Sequence, residues 1–181
     1  MRQTEAYVFG YGSLVAGAAR VATLRGFRRV WGVAMDNRVA VPGYKVYELP
    51  DGTRPPVDVA FLDLEPDAAT TVGGGLLAVD ATALAGLDAR ERQYRRIDVT
   101  AAVAPAPGAP VWAFVGRAPG RARVARGRAG GDEVVLQRAY VELVEAAFAG
   151  LGPEHLARYR ASTEPPPFPV LELARVEPRQ G

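Results

Sequence analysis

The chain has 181 residues, enough for one domain with a sizeable apolar core, and its 22 basic and 20 acidic side chains give a net charge of +2. This balance argues against a dedicated nucleic-acid-binding protein, which would concentrate positive charge, and the lack of cysteine excludes disulfides, thiolate catalysis and zinc–sulfur sites. Because His155 is the single histidine, a multi-histidine metal site is also excluded, and we expect neither a metal nor another cofactor.

The N-terminal residues, 1–5, lack the apolar core of a signal peptide, and no apolar run approaches the length that crosses a membrane. We therefore expect a soluble, cytoplasmic protein with no membrane partner. Neither an internal repeat nor a domain boundary is evident in the sequence. Residues 1–181 are predicted to form one domain, with a proline-rich, extended tail from about residue 163.

Strand-like runs dominate the first two-thirds of the chain. They cover residues 7–9, 21–41, 57–64, 76–79, 97–100 and 111–115. The second run indicates one bent strand or two short ones, and the third is predicted to end at Glu65-Pro66-Asp67. The glycines at 73–75 predict a chain reversal or a bulge before the fourth run.

Three helices are predicted, at about 82–92, 133–148 and 153–160, the first with N-cap candidates at 80–82. The arginine-rich stretch Arg117–Arg128 lacks aromatic residues for base stacking, so it favours a solvated, mobile loop over a nucleic-acid or phosphate site. Many strands and few helices are typical of the α+β class. We predict a small, mixed but mostly antiparallel sheet that curls towards a barrel, with helices outside it.

The first motif, Phe9-Gly10-Tyr11-Gly12-Ser13-Leu14, is a buried strand that ends in a glycine-flanked turn. Glycine permits backbone angles that a side chain would forbid. Such a turn can direct several backbone N–H groups into one small space and hold a carboxylate there. The alternative interpretation is an ordinary tight turn without a ligand.

The second motif ends the first predicted helix, where Glu91 shares a face with Leu84 and Leu87. That face should be buried, and a carboxylate there is costly unless it is paired, hydrogen-bonded or neutralised. One hypothesis is an ion pair with a neighbouring arginine. The candidates are Arg90, Arg92, Arg95 and Arg96. The other hypothesis is a general base that takes part in proton transfer.

Taken together, the loop through Leu14 and the sequence Leu87-Asp88-x-x-Glu91 followed by Tyr94 resemble the gamma-glutamylcyclotransferase-like superfamily. In that superfamily a Tyr-Gly-Ser loop follows the first strand, and the glutamate of an L-D-x-x-E element is catalytic. Further similar features are Arg28-Arg29-Val30-Trp31, the Pro42-Gly43 turn, the glycine run before Leu77, and Tyr140. The resemblance spans about residues 5–150 and implies this superfamily's fold.

The resemblance also implies a reaction on a small-molecule substrate, a gamma-glutamyl amine, amino acid or peptide. The alpha-amino nitrogen of the substrate attacks its own gamma-carbonyl and releases 5-oxoproline and the free amine. Because the substrate supplies the nucleophile, neither a Ser-His pair nor a metal is needed. Glu91 would be the general acid/base. The substrate-binding residues would be Tyr11, Gly12, Ser13, Leu14 and Tyr94, with backbone amides of the loop on the alpha-carboxylate.

Two departures from the superfamily are visible. Tyr94 follows Glu91 by a shorter gap than in reference members, and Asp36-Asn37-Arg38 stands where glutathione-specific relatives carry another polar stretch. The latter makes glutathione a less natural substrate.

The alternative function is a non-catalytic module that binds a small carboxylate or a partner on the same fold. Glu91 favours the enzyme, because an anion binder gains nothing from a buried carboxylate.

Overall fold

A computed structural model describes residues 6–41, 44–131 and 133–177, so the N-terminal residues and the predicted Pro42-Gly43 turn lie outside the described parts. In chain order the described elements are β1 Ala6–Gly10, β2 Arg20–Asp36, β3 Val46–Glu48, β4 Asp58–Val79, α1 Ala81–Arg90, β5 Tyr94–Asp98, β6 Val103–Ala104, β7 Val111–Gly116, α2 Ala118–Arg128, β8 Val134–Gln137, α3 Arg138–Leu151, α4 Pro153–Ser162, β9 Val170–Leu171 and β10 Ala174–Val176. A short 3-10 helix, Ser13–Gly17, follows β1.

Strands β2 and β4 form a long antiparallel ribbon at the centre of the larger sheet. They pair from Arg20 opposite Leu76 to Asp36 opposite Asp58, and two register shifts bend the ribbon. The strand order is β5-β7-β1-β4-β2-β6, with β8 and β9 continuing from β4. This curled, half-open sheet with helices packed on it confirms the predicted α+β architecture, and β2 is the single bent strand that was one of the two alternatives.

The predicted end of the third strand at Pro66 is wrong. β4 continues through Pro66, which lies opposite Phe27 beside one of the register shifts. Residues 67–70 of β4 have no partner in the register with β2 and form a bulge, in which the Asp67 carboxylate accepts hydrogen bonds from the Ala69 amide (3.1 Å) and the Thr70 hydroxyl (2.9 Å). A proline is tolerated in a strand where the ladder is interrupted, and this one lies at such an irregularity.

The glycines at 73–75 do not reverse the chain but lie within β4, paired with β2, and the register shift just before them is the bulge that was the other predicted alternative. Their role is close packing. A Cβ atom on Gly74 would lie 2.2 Å from the carbonyl oxygen of Gly10 and 2.7 Å from the Phe9 ring. The loop after β1 can therefore rest on β4 only because no side chain stands between them.

We expect Gly74→Ala to destabilise the protein by about 3 kcal/mol, the upper end of the range for overpacked sites, because the obstructing Gly10 atom is backbone. The matched control is Gly73→Ala, whose Cβ would meet no atom within 4 Å. Its effect should stay within about 0.5 kcal/mol. Denaturant unfolding of both variants measures the difference. Equal destabilisation of the two would contradict the close-packing account.

One predicted boundary near the C-terminal helices is also wrong. Residues 134–137, assigned to the start of a helix, form β8, which is fully buried and pairs in parallel with β4 and β9. Short apolar runs of this kind fit a buried parallel strand as well as a helix. The tail after residue 163 is not merely extended, since β9 joins the large sheet and β10 pairs antiparallel with β3.

The arginine-rich segment predicted as a mobile loop is the helix α2. Arginines of this segment form hydrogen bonds with other parts of the protein. Arg121 donates to the fully buried Asp63 carboxylate (2.7 Å) and to the Leu64 carbonyl (2.9 Å), and Arg117 donates to the Tyr94 carbonyl (2.7 Å). Asp63 in turn accepts from the Gly116 amide at 2.7 Å. The helix thus supports the strands that carry the site.

Among the described helices, none combines the length and apolar character that a membrane span requires.

Candidate active site

A cavity of about 640 Å³ brings the two sequence motifs together. Ser13 and Leu14 from the loop after β1 line it, as do Glu91 and Tyr94 from the end of α1 and the start of β5. The opposite walls come from the segment around β3, the first turn of α3 and β10. Tyr11 and Gly12, which the sequence also assigns to the site, are not among the lining residues.

The backbone of the loop leaves amide donors available at the cavity. Val15 is the first residue of the 3-10 helix whose N–H has a helical partner, the Gly12 carbonyl at 3.0 Å. The amides of Gly12, Ser13 and Leu14 precede that bond, and none of them donates to an acceptor within the described residues. These are the three N–H groups that the sequence assigns to a carboxylate.

Gly12 is required for space. Its φ of −135° and ψ of −130° together lie outside the main β and right-handed α regions, which agrees with the prediction of backbone angles suited to glycine. A Cβ atom at this position would lie 3.0 Å from the Tyr140 hydroxyl oxygen and 3.6 Å from Leu62. Gly12 thus borders the cavity through Tyr140, which lines it.

Tyr11 faces the core. Its side chain is 7% exposed, and its phenol donates to the Phe114 carbonyl at 2.5 Å, so it anchors the loop to β7 without reaching the cavity. Burial raises its pKa well above the usual value, and the phenol remains protonated. The structure therefore gives the Tyr11 side chain a supporting position rather than the contact with substrate that the sequence suggests.

Arg29 holds the same loop from behind. Its Nε donates to the Tyr11 carbonyl at 2.7 Å, and its other nitrogens donate to the Gly73 carbonyl and to the hydroxyls of Ser162 and Thr163. The guanidinium lies over the rings of Phe148 and Tyr159, about 5 Å from each centroid. Burial lowers the pKa of Arg29 to about 10, so the group stays cationic at neutral pH.

Glu91 lies one residue past the end of α1, which stops at Arg90 and not at about 92 as predicted. Its side chain is 21% exposed, and its Oε1 accepts from Arg90 Nε at 2.9 Å and Nη2 at 2.8 Å. Oε2 takes part in no hydrogen bond within the described residues. One oxygen therefore matches the ion-pair hypothesis, and the other remains available at the cavity to accept a proton.

Two tyrosines line the cavity near Glu91. Tyr94 donates its phenol hydrogen to the Leu62 carbonyl at 2.8 Å, so this hydroxyl can only accept a hydrogen bond from a ligand. Tyr140 stands edge-on to the rings of Phe61 and Trp31, at centroid distances of 5.0 and 6.1 Å. Burial raises the pKa of both phenols, which keeps them neutral.

Lys45, which sequence reasoning did not assign to the site, lines the cavity just before β3. Its ammonium lies 4.4 Å from the centroid of the Phe61 ring and within 6 Å of the Tyr44 and Tyr47 rings. Burial lowers its pKa to about 8, with Arg175 acting in the same direction and Glu91 opposing. The sequence does contain a signal that could have drawn attention to Lys45, because it is the only lysine of the chain and stands between Tyr44 and Tyr47.

The polar segment Asp36-Asn37-Arg38 does not line the cavity. The buried Asn37 amide donates to the carbonyls of Tyr47 (2.9 Å) and Pro55 (3.0 Å), and its oxygen accepts from the Tyr47 amide at 2.8 Å. Asn37 therefore ties β3 to the end of β2 as a substitute for a neighbouring strand. The two hydrogen bonds between Asn37 and Tyr47 hold the Tyr47 backbone in place. They thereby also help to position Lys45, two residues earlier, at the cavity wall.

Most of the chain matches one known protein family. The sequence profile of the family described as Gamma-glutamyl cyclotransferase, AIG2-like matches residues 8–132. No curated protein sequence is significantly similar to the chain. The matched residues include both motifs and Lys45, whereas Tyr140 and Arg175 lie beyond them.

Solved structures share the fold at low identity. A structure described as gamma-glutamyl cyclotransferase has a TM-score of 0.54 and 13% identity, over 90% of this chain and 89% of its own. The human uncharacterized protein loc79017 has a TM-score of 0.54 and 14% identity, over 90% of this chain and 89% of its own. YkqA from Bacillus subtilis has a TM-score of 0.54 and 18% identity, over 88% of this chain and 54% of that longer chain.

Proposed function

Because the chain belongs to the gamma-glutamyl cyclotransferase, AIG2-like family, we propose that it converts a gamma-glutamyl amine, amino acid or peptide into 5-oxoproline and the free amine. One observation carries the proposal. Unpartnered loop amides at Ser13 and Leu14 and the free Oε2 of Glu91 border a single cavity. An anchor for a carboxylate and an acceptor for a proton are the two groups that intramolecular cyclisation requires of a protein.

The loop amides would hold the alpha-carboxylate of the substrate. Backbone N–H groups donate to an anion without the conformational freedom of a long side chain, so the bound end of the substrate is well fixed. Tyr11 and Arg29 fix the loop from the core side, which keeps the amides aligned. Holding the alpha-carboxylate leaves the flexible remainder of the gamma-glutamyl group to fold back until its amine meets the gamma-carbonyl.

Glu91 would transfer the proton. Its Oε2 takes a proton from the alpha-ammonium, and the freed amine attacks the gamma-carbonyl carbon to form the new C–N bond. The tetrahedral intermediate then collapses as the protonated Glu91 gives its proton to the departing nitrogen and the original C–N bond breaks. Glu91 then takes the second proton from the new ring nitrogen and passes it to the released amine, which leaves as an ammonium ion. Atoms and charge balance within the substrate and this one carboxyl group, which returns to its starting state.

The Arg90–Glu91 ion pair is compatible with this role. The Arg90 side chain is 53% exposed, and ion pairs between such solvated groups contribute about 0–1 kcal/mol, so little free energy opposes their rearrangement when a substrate binds. The same pair is also the specific observation that favours the alternative function, a non-catalytic module for small carboxylates. In a protein that only binds, the charge of Glu91 would stay neutralised by Arg90, and the ligand would be bound without being converted.

The test is to incubate the purified protein with a panel of gamma-glutamyl amines, amino acids and peptides and to quantify 5-oxoproline by chromatography. We expect 5-oxoproline and the free amine in equal amounts from at least one compound. Calorimetric titration of the same panel supplies the second measurement. Binding without any product would support the non-catalytic module, and neither binding nor product would refute both functions.

A further inference from the structure

The cavity carries more positive charge than the reaction requires. Its lining includes four cationic side chains and two carboxylates, namely Lys45, Arg90, Arg92 and Arg175 against Glu91 and Glu177. Arg90 is paired with Glu91, whereas Lys45, Arg92 and Arg175 form no ion pair within the described residues. Three cations thus line the cavity without an ion-pair partner, and of these Arg92 lies over the Tyr44 ring while Lys45 and Arg175 are the pair considered next.

Lys45 and Arg175 are brought together by the small sheet. β10 pairs with β3 so that Arg175 lies opposite Tyr47, and Lys45 immediately precedes β3. Lys45 is close enough to Arg175 and to Glu91 for their charges to act on it in opposite directions. The two cations therefore lie within electrostatic reach of the carboxylate proposed to protonate the leaving nitrogen.

The protein offsets only part of the free-energy cost of burying the Lys45 ammonium charge. The three aromatic rings around it attract a cation, an interaction that is typically worth about 0.5–2 kcal/mol, less than the cost of removing a charge from water. Arg175 adds repulsion. An anion placed between these two groups would relieve both costs, so the pair is suited to a ligand carboxylate.

The size of the cavity leaves room for such a group. A gamma-glutamyl unit has nine heavy atoms, and even at the ~30 Å³ of a liquid water for each it would fill only about 270 Å³. The cavity measures about 640 Å³. More than half of it is therefore available to the amine that leaves.

We propose that Lys45 and Arg175 form a second anion site, which binds a carboxylate carried by the leaving amine. The inference rests on the proposed function and narrows its substrates to gamma-glutamyl amino acids and peptides. Neutral amines would leave the two cations unpaired, and cationic amines would be repelled. Lys45 lies within the residues that match the family profile, and Arg175 lies beyond them.

The experiment compares gamma-glutamylglycine with gamma-glutamylglycinamide, which differ only in the charge of the terminal group. We expect the wild-type protein to prefer the carboxylate by roughly tenfold to a hundredfold in kcat/KM. Lys45→Met and Arg175→Gln should each remove most of this preference by lowering activity on gamma-glutamylglycine alone. Arg158→Gln is the matched control, because Arg158 is exposed on α4 and changes the net charge equally.

An unchanged ratio in both variants would overturn the second anion site while leaving the proposed function intact. Absence of 5-oxoproline from both compounds would instead refute the proposed function. In that case the anion site is tested by treating the protein with acetic anhydride and measuring the acetylation of Lys45 by peptide mass spectrometry. Protection by gamma-glutamylglycine but not by its amide would support the site, and equal protection or none would overturn it.

The preference should also depend on pH. The charged and titratable groups that line the cavity with Lys45 are Arg90 and Glu91 from the end of α1, Arg92, Arg175 from β10, Glu177, and the neighbouring tyrosines. Because the pKa of Lys45 is lowered to about 8, its charge is present below that pH and is lost above it. The kcat/KM ratio of gamma-glutamylglycine to the amide should therefore fall as pH rises through about 8.

Using the ratio cancels titrations that the two substrates share, including those of the alpha-amine and of Glu91. In Lys45→Met the ratio should be independent of pH between about 7 and 9, since Arg175 remains charged over this range. A wild-type ratio that is constant across the same interval would contradict the assignment of Lys45 to the carboxylate.

Discussion

Glu91→Gln is expected to lower kcat by roughly 10²–10⁴-fold while leaving substrate binding nearly unchanged. Glutamine keeps the shape of the side chain and an oxygen that can accept the hydrogen bond of Arg90, but it cannot take up the proton of the alpha-ammonium. The loss should therefore appear in kcat and not in KM. Production of 5-oxoproline at saturating substrate measures it, with circular dichroism to verify the fold.

The matched control is Arg90→Gln, which breaks the ion pair and leaves the carboxylate. Because Arg90 is half-exposed, we expect a change of only a few fold. A loss as large as that of Glu91→Gln would mean that the ion pair itself is the essential feature. Full activity in Glu91→Gln would return Glu91 to the role of a structural ion-pair partner.

Gly12→Val is expected to weaken binding of the substrate by roughly 10²–10⁴-fold. Its Cβ would lie 3.0 Å from the Tyr140 hydroxyl, and the packing of Tyr140 against Phe61 and Trp31 prevents that ring from moving aside. The loop must shift instead, and two lost amide contacts at about 1.5–3 kcal/mol each give the stated range. Calorimetric titration with a gamma-glutamyl ligand measures the affinity.

Ser13→Ala is the control for this prediction, because it removes a hydroxyl at the cavity but keeps the backbone amide. We expect its affinity to stay within a few fold of the wild-type value. A 4-aminobutyryl analogue, which lacks the alpha-carboxylate, should bind wild type and Gly12→Val equally weakly. If Ser13→Ala abolishes binding while Gly12→Val does not, the hydroxyl and not the amides holds the ligand.

The parts of the fold that sequence predicted well are those with strong local signals. β1 and the loop after it follow from an apolar run that ends in glycines, and Asp80 caps α1 as its position predicts, accepting from the Ala83 amide at 2.8 Å. The two motifs define one wall of the cavity because each belongs to a clear element. Local pattern and local structure agree at these positions.

The parts that sequence missed depend on contacts between distant residues. The arginines of α2 have no apolar stripe to mark a helix, and their partners, such as Asp63, lie in strands far along the chain. Lys45 and Arg175 are 130 positions apart (175 − 45), and the pairing of β3 with β10 that joins them leaves no local trace. Patterns of period two or 3.6 carry no information about such pairings.

The buried guanidinium of Arg29 gives the loop a charge as well as a fixed shape. Within the described residues it has no carboxylate partner, and its Nε donates to the Tyr11 carbonyl. That carbonyl belongs to the same peptide group as the Gly12 N–H, so the hydrogen bond withdraws electron density across the peptide plane and strengthens the amide as a donor. A substrate carboxylate held by the loop would then act as the counter-ion that the described residues do not provide.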